Sequence, residues 1–500
     1  MTNEKPGIET FEEAHESASP LDTVPQPKLD QHGYPLRPQP SDDPMDPLNW
    51  SGKLKLWTLF QVSFLAFLGP FTQAFINPAY GPEAKAMHIS IVDASYSTTI
   101  AILLAGVSPI IWSPISNVYG RRPIFICVTA LGIVAHAASG AAKTWGGILT
   151  ARAFMGVGTS AGMGIGAAVV SDMYYMHERG RYMGVFTVFV TNGAHVAALV
   201  GGPTAKYLGW RWCFWIPAIV FAANWVLNLA CLPETLFHRE SESGNSLQGQ
   251  RKPSWLSLLS FNASPAKKKL SLWDFTHVFY MLKYPSVLFP TIYYSVSFGL
   301  GSVLFAVTGS KAFGSIYHFG TVGIGLAIGL STFIGTLAGE MSAGPVSDRL
   351  LYVYVRKHGG EAVPEARLQA TWPGFILLPA GVIIEGVCFQ YKTHWIGPVL
   401  GIGIAAFGLQ ILSTNIYAYM TDCYKPQSAE LSTLLNLGRQ VFSFTLGFYM
   451  IRFADATTYG VAWSVMAIIN ALLYLGIIAL MFRGRQWREV MGTPGFDQDL

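Results

Sequence analysis

The sequence predicts an all-α membrane protein with 12 transmembrane helices in two pseudo-symmetric six-helix bundles. The 500 residues are 51% hydrophobic and only 12% charged, whereas soluble domains carry about 25% charged residues. Twelve apolar segments approach the roughly 20 residues that a helix needs to cross a bilayer. Similar basic turns end at Arg122 and Arg349, and each follows the second apolar segment of a half. This repetition indicates a duplicated architecture.

Each predicted span is a run of about 20 residues with little charge. Six spans form the first half: Leu56–Tyr80, Ser97–Val118, Ile124–Ala142, Gly147–Tyr174, Met183–Ala205 and Trp212–Leu232. Six more form the second half: Ser286–Thr308, Thr321–Ala343, Trp372–Tyr391, Trp395–Met420, Leu431–Ile451 and Ala462–Phe482. We number these spans first to twelfth in chain order.

The remaining segments follow from composition. Residues 1–55 are polar and rich in proline, which predicts a disordered cytosolic tail before the bundle over residues 56–232. Residues 233–285 are polar and Ser-rich, which is typical of a flexible cytosolic linker. The second bundle covers residues 286–482, and residues 483–500 are predicted to form a short cytosolic tail.

The distribution of Lys and Arg predicts the orientation of the spans. Of the 33 basic residues, seven fall in predicted outer loops and two, Arg152 and Arg439, fall within spans. The remaining 24 lie in the tails and inner loops, since 33 minus nine is 24. We therefore expect both termini to be cytosolic.

Composition argues against other functional classes. The net charge of +4 is too small to favour a nucleic-acid partner. The five cysteines include no CxxC pair and lie in or beside apolar spans, so we interpret them as buried apolar residues. An enzyme would need a polar cluster at one membrane face, and His177 and Glu178 beside Asp172 lack a second histidine at metal-ligand spacing. We predict no catalytic residue, metal or cofactor, and a monomer whose partners are the bilayer and a small molecule.

Arg152 is the first candidate functional residue, because a charge within a membrane costs at least about 2.5–3.5 kcal/mol and normally faces protein or water. It lies early in the fourth span, so an anchor whose head group reaches the membrane surface is the alternative. The same span carries Gly158, Gly162 and Gly166, which share one helix face. This spacing favours close helix packing over a phosphate-binding loop.

The turn Ser113-Pro114-Ile115-Ser116-Asn117-Val118-Tyr119-Gly120-Arg121-Arg122 resembles the loop signature of the major facilitator superfamily. In that family a Gly, an Asp and Arg residues lie between the second and third spans. The resemblance implies the major facilitator fold and a charge relay that latches the inner face through Arg121, Arg122, Asp348 and Arg349. Ser113 and Asn117 replace the expected Gly and Asp, so the first half lacks a carboxylate in that latch.

Other motifs resemble fungal members of the 12-span drug:proton antiporter family. They are Asp46-Pro47-Leu48-Asn49-Trp50, Gly209-Trp210-Arg211-Trp212, Pro233-Glu234-Thr235-Leu236 and Pro364-Glu365-Ala366-Arg367-Leu368. The fifth span departs from that family, because Ala197 and Ala198 stand where Gly and Pro are expected. The resemblance implies proton-coupled efflux of a drug or secondary metabolite across the plasma membrane by alternating access. Arg152 would then take part in coupling to the proton gradient.

Polar and aromatic side chains within the spans predict the substrate pathway. The candidates are Gln73, Asn77, Asn192, His195, Tyr293, Tyr294, Phe298, Gln410, Asn415 and Tyr419. Helix–helix hydrogen bonds, worth about 0.6 kcal/mol on average, are the structural alternative for each amide. In the superfamily fold these spans line the central cavity, so the resemblance favours substrate binding.

Carboxyl groups within the spans are candidates for proton coupling, because burial favours their neutral form and allows proton exchange near neutral pH. Glu385 lies in the middle of the ninth span, and Glu340 lies near the inner end of the eighth. Both join Arg439 in the predicted coupling set. As alternatives, Glu340 could balance inner arginines and Glu385 could be a structural partner.

Two functional alternatives stay open. The missing Gly-Pro step keeps proton-coupled uptake of a nutrient, such as a polyamine or organic acid, as the second hypothesis. A transporter-like nutrient sensor is a more remote one, because such a sensor would need longer cytosolic tails than those predicted here.

Overall fold

The computed structural model describes residues 28, 38–237, 259, 270–357, 363–424, 426–492 and 494–495. The predicted N-terminal tail and the predicted linker fall largely outside these residues. Within them, eleven helical stretches are long and apolar enough to cross a membrane. The eleventh predicted span lies in a further long helix, Ser428–Ala456, which carries Asn436, Arg439 and Gln440 near its centre.

The first half contains six spans, as predicted. Their helices are Gly52–Ala74 continued by Asn77–Ala79 and Tyr80–Met87, Ile91–Val107 with Pro109–Tyr119, Arg121–Ala141, Trp145–Met173, Met176–Tyr207 and Trp212–Cys231. Side chains cap several of these helices, since Ser51, Ser90 and Thr144 accept hydrogen bonds from backbone N–H groups of the first turn. Gly120 adopts a φ of 105°, which allows the third span to begin directly after the second.

The second half repeats this plan. After a short helix, Trp273–Tyr280, its spans are Pro285–Phe298 with Gly299–Val303 and Leu304–Ile316, Thr321–Lys357, Trp372–Gln390, Ile396–Cys423, Ser428–Ala456 and Tyr459–Met491. A π-helical segment, Gly299–Val303, interrupts the seventh span. The twelfth helix continues past the predicted end at Phe482, where Arg488 pairs with Glu365 before the ninth span.

Two hydrophobic cores correspond to the two halves. One core draws its buried residues from Trp50 to Leu232, and the other from Val278 to Leu480 together with Ile102. The halves meet where the second span packs against the eleventh and the fifth packs against the eighth. These two pairs exchange under a twofold operation, so the prediction of two pseudo-symmetric six-helix bundles is confirmed.

The loops divide between two faces of the molecule. We call the face that carries residues 232–237, 363–364, 424 and 426–427 the linker face, since the helix Trp273–Tyr280 also precedes the seventh span there. We call the opposite face, with the turns at residues 88–90, 142–144, 208–211, 317–320, 391–395 and 457–458, the far face.

Glycines allow the third and fourth spans to approach closely, and this contact yields a stability prediction. A Cβ added at Gly158 would lie 2.3 Å from the backbone N and Cα of Gly132. We expect Gly158→Ala to lower the thermal unfolding temperature of the purified protein, because such crowding costs about 1–3 kcal/mol. The matched control, Gly146→Ala in the same helix, meets nothing within 4 Å. Equal unfolding temperatures for the two variants would contradict the prediction.

Candidate functional site

Arg152 is completely buried, at 0% exposure, and is bound by the first two spans. Its guanidinium donates hydrogen bonds to the backbone oxygens of Gln73 at 2.6 Å, Ser97 at 3.1 Å and Thr72 at 3.3 Å. It also donates to Thr98 Oγ1 at 3.0 Å. The side chain therefore holds three helices together and does not extend to the membrane surface.

Polar side chains from the first, second and fourth spans lie around this arginine. Tyr80 OH donates to Asn77 Oδ1 at 2.7 Å, and Thr98 Oγ1 donates to the same oxygen at 3.2 Å. Gln73 Nε2 donates to Thr159 Oγ1 at 3.2 Å. The structure thus brings the predicted residues Gln73 and Asn77 together beside Arg152.

Glu83 completes this group, and sequence reasoning missed it. Its side chain is 0% exposed, and neither carboxylate oxygen has a hydrogen-bond partner in the described part of the chain. It lies close enough to Arg152 for their charges to interact, and Cys213 of the sixth span is also within electrostatic reach. The predicted first span ended at Tyr80, whereas the helix continues to Met87 and buries Glu83.

We name Gln73, Asn77, Tyr80, Glu83, Thr98 and Arg152 the first-half polar cluster.

A second buried cation, Arg439, lies among aromatic rings in the second half. Its guanidinium carbon is 4.6 Å from the centroid of the Phe298 ring, and its Nε and Nη2 donate to Asn436 Oδ1 at 3.1 and 2.9 Å. Tyr294 packs against Phe298 and Tyr417, with ring centroids 6.1 and 5.6 Å apart. We call Tyr294, Phe298 and Tyr417 the aromatic cage.

Glu340 and the predicted amides Asn192 and Gln410 form hydrogen bonds between neighbouring spans. The Glu340 carboxylate accepts hydrogen bonds from Gln410 Nε2 and from Thr414 Oγ1, the latter at 3.0 Å. Asn192 Oδ1 accepts a hydrogen bond at 3.2 Å from Thr336 Oγ1, which joins the fifth span to the eighth.

Two further candidates in the spans, His195 and Asn415, are also buried. Asn415 Nδ2 donates to the backbone oxygen of Ile411 at 2.8 Å. Its Oδ1 has no partner among the residues described. Among the described residues, no side-chain hydrogen bond joins His195 or Asn415 to the first-half polar cluster or to the aromatic cage.

Three other predicted residues lie away from these groups. Tyr293 packs against Tyr474 of the twelfth span, with ring centroids 5.3 Å apart. It lies on a different face of the seventh helix from Tyr294, because successive helical residues point about 100° apart. Tyr419 is buried near the linker-face end of the tenth span. Glu385 accepts a 2.8 Å hydrogen bond from Trp463 Nε1 between the ninth and twelfth spans.

Ion pairs on the linker face repeat in the two halves. In the first half, Arg121 Nε lies 3.2 Å from Asp172 Oδ2, and Arg121 Nη1 donates to Ser116 Oγ at 2.9 Å. It also donates to Asn117 Oδ1, the residue that replaces the expected Asp. Asp172, at the end of the fourth span, therefore supplies the carboxylate that the turn itself lacks.

In the second half, a paired arginine lies before the ninth span, outside the predicted turn. Arg367 Nε lies 2.6 Å from Asp422 Oδ2, and its Nη1 donates to Ser347 Oγ at 3.3 Å. Ser347 is the counterpart of Ser116, and Asp422 ends the tenth span as Asp172 ends the fourth. Arg349 is exposed, and the side chain of Asp348 lies outside the described residues.

Glu234 fixes the beginning of the third span. Its carboxylate accepts hydrogen bonds from the backbone N–H groups of Arg121 at 2.9 Å and Arg122 at 3.0 Å. A carboxylate at a helix N-terminus is favourable because the unpaired N–H groups there carry partial positive charge. Arg122 Nη2 donates to the backbone oxygen of Leu229 at 2.7 Å, and Nη1 donates to that of Leu259. These contacts tie the basic turn to the end of the sixth span and to Leu259 in the segment between the halves.

Close contacts between the halves lie toward the far face. The rings of Tyr96 and Phe448 stack with centroids 4.8 Å apart, and Arg452 Nη2 donates to Tyr96 OH at 3.2 Å. A Cβ at Gly325 would lie 2.4 Å from the backbone oxygen of Ala198. A Cβ at Gly202 would lie 2.6 Å from the backbone oxygen of Thr321, near the far-face ends of the fifth and eighth spans. The halves are therefore tightly packed at the far face.

The described residues contain no group of three or more His, Cys, Asp or Glu side chains that could hold a metal ion. The candidate polar groups of the spans are Arg152, Arg439, the buried carboxyls Glu83 and Glu385, the partly buried Glu340 and several amides. Charged and titratable groups at membrane depth normally face protein or water.

Comparison with known proteins identifies the family. The protein-family sequence model described as Major Facilitator Superfamily matches residues 62–479 of this chain. The chain belongs to the major facilitator superfamily. It is 30% identical over 440 residues to the MFS transporter cpaT of Aspergillus oryzae, and the match covers 85% of each chain.

Other relatives extend this relationship. The efflux pump vrtL of Penicillium aethiopicum is 28% identical over 446 residues, covering 87% of this chain and 86% of the pump. The probable efflux pump mfs2 of Aspergillus flavus is 27% identical over 421 residues, covering 82% of this chain and 96% of that one. The solved human organic anion transporter MFSD10 is 15% identical, has a TM-score of 0.53 and supports the fold alone. The protein is a major facilitator transporter.

Proposed function

We propose that this transporter exports a small organic solute in exchange for protons by alternating access. The observation that carries the proposal is the first-half polar cluster, where a buried arginine lies beside a buried carboxyl group with no hydrogen-bond partner among the described residues. Charged groups at membrane depth are costly and are usually part of an ion or proton pathway.

Two opposing influences act on Glu83. Burial without a hydrogen-bond donor favours its protonated form, whereas the guanidinium of Arg152 favours its ionised form. A shift of Arg152 relative to the first span would change this balance. Since Arg152 binds backbone oxygens of both the first and second spans, movement of these helices can be coupled to proton uptake or release.

Export is supported by the relatives named efflux pumps. With the linker face in the cytosol, the tight contacts at the far face close the outer side, and a solute reaches the site from the cytosol. We propose that the protein resides in the plasma membrane with both termini cytosolic. The sequence resemblance to drug:proton antiporters supports the same direction.

Reconstitution into proteoliposomes tests this proposal. We expect an acidic lumen to drive accumulation of a transported solute inside the vesicles, because protons leave as the solute enters. Nigericin in potassium buffer, which collapses the pH gradient, should abolish the accumulation. Accumulation driven by an acidic exterior would instead show symport and overturn export. Absence of gradient-dependent flux across a panel of organic acids, esters and amines would overturn proton coupling.

A further inference from the structure

Arg439 is a buried cation without a carboxylate counter-charge. It is 8% exposed, its Nε and Nη2 donate to Asn436 Oδ1, and the Tyr294 side chain is also within hydrogen-bonding reach of the guanidinium. Within the described chain, no carboxylate forms an ion pair with it. Placing an uncompensated guanidinium at this depth is costly unless a binding partner neutralises it for part of the transport cycle.

Three carboxylates of the second half that the structure describes contact other groups. Glu340 accepts hydrogen bonds from Gln410 and Thr414. Asp422 pairs with Arg367 on the linker face, and Glu385 is bound to Trp463 on the side of the bundle away from the first half. The positive charge of Arg439 is thus available to a ligand.

The aromatic cage orients this charge. The Phe298 ring centroid lies 4.6 Å from the central carbon of the guanidinium, and Nε and Nη2 donate to Asn436 Oδ1, so these two contacts fix the orientation of the planar group. Tyr294 OH lies 3.2 Å from Ser413 Oγ, which places two hydroxyl groups from the seventh and tenth spans beside the rings. A planar fork suits bidentate binding of a carboxylate, and aromatic walls favour a ligand that carries a ring.

The position of Arg439 links it to the movement of the halves. A Cβ at Gly106 of the second span would lie 2.4 Å from Cβ of Gln440, the residue that follows Arg439. The second and eleventh spans therefore touch next to this side chain. Any rocking of one half against the other changes access to Arg439.

We propose that Arg439 and the aromatic cage bind the carboxylate of an aromatic organic acid as the transported solute. This inference rests on the proposed function as a solute transporter, and it specifies the chemical class of the solute. Arg439 binds the carboxylate, and Tyr294, Phe298 and Tyr417 contact the ring.

Equilibrium binding to the purified full-length protein, without any pH gradient, tests the site with three probes of equal ring size. The probes are 2-naphthoate, its methyl ester and 2-naphthylmethylammonium, which differ in charge. We expect 2-naphthoate to bind at least about tenfold more tightly than the other two. In Arg439→Gln, this preference should disappear while the affinity for the ester stays unchanged.

Two further variants keep the test decisive. Phe298→Leu retains the charge and should weaken the acid and the ester together, because both lose a ring contact. Arg485→Gln removes an exposed arginine of the twelfth helix and should change neither affinity. Equal weakening of acid and ester by Arg439→Gln would show a structural role and overturn the proposal, as would equal affinity of the wild type for all three probes.

The two proposals fail in different ways. Selective binding of 2-naphthoate without gradient-dependent flux would overturn proton coupling and leave the anion site in place. Gradient-dependent flux of solutes without a preference for the acid would overturn the anion site and leave proton coupling in place.

Discussion

Replacement of Arg152 by Ala is expected to reduce gradient-driven flux at least about 100-fold. The guanidinium links the first, second and fourth spans through four oxygen acceptors, and hydrogen bonds from a charged group are worth about 1.5–3 kcal/mol each. Loss of two such interactions from the transport transition state accounts for about 100-fold in rate. The removed charge also leaves Glu83 without its cation. Flux into proteoliposomes with an acidic lumen measures the effect.

Arg152→Lys separates charge from geometry. The single ammonium of lysine cannot reach the backbone oxygens of Gln73, Ser97 and Thr72 at once, so we expect flux between those of the wild type and the Ala variant. Protein amount and unfolding temperature in the same membranes serve as the control for folding. Wild-type flux in Arg152→Ala would show that this arginine has no part in transport.

The fold was predictable because hydropathy reports the one property that a bilayer imposes, which is a long helix with internally satisfied backbone groups. The first-half helices follow the predicted apolar runs, and the repeated turn correctly indicated duplication. Helix ends were less predictable. Hydropathy alone does not predict that the first span continues past Pro78 to Met87. The charged residue Glu83 lies in this helix and is buried there, which only the packing of the folded chain shows.

The sites were partly predictable for a similar reason. Tyr294, Phe298 and Arg439 were each candidates, yet only the packing of the seventh and eleventh spans brings Phe298 over the guanidinium. Neighbouring residues on a helix point about 100° apart, so Tyr293 and Tyr294 lie on different faces of the seventh helix. The sequence alone does not show which of these faces is turned toward Arg439. The pair between Arg367 and Asp422 is 55 residues apart in the chain, and only the fold joins them.

Replacement of Glu83 by Gln is expected to uncouple solute movement from protons. Glutamine has nearly the same shape but cannot release a proton, so the first-half polar cluster would keep its packing and lose its titratable group. We expect accumulation driven by the pH gradient to fall at least about tenfold, while exchange of labelled for unlabelled solute at equal pH continues. Parallel flux assays in the two conditions measure the ratio.

Glu385→Gln is the matched control, since Glu385 is also buried within a span and a glutamine oxygen can still accept the hydrogen bond from Trp463. Its contacts join second-half helices that do not surround Arg152, so we expect normal coupling in this variant. If Glu385→Gln lost gradient-driven accumulation and Glu83→Gln kept it, proton coupling would belong to the second half. If both lost exchange as well as accumulation, neither carboxyl would be specific to proton movement. If Glu83→Gln lost accumulation but kept exchange, and Glu385→Gln kept both, proton movement would be assigned to the first-half polar cluster around Arg152.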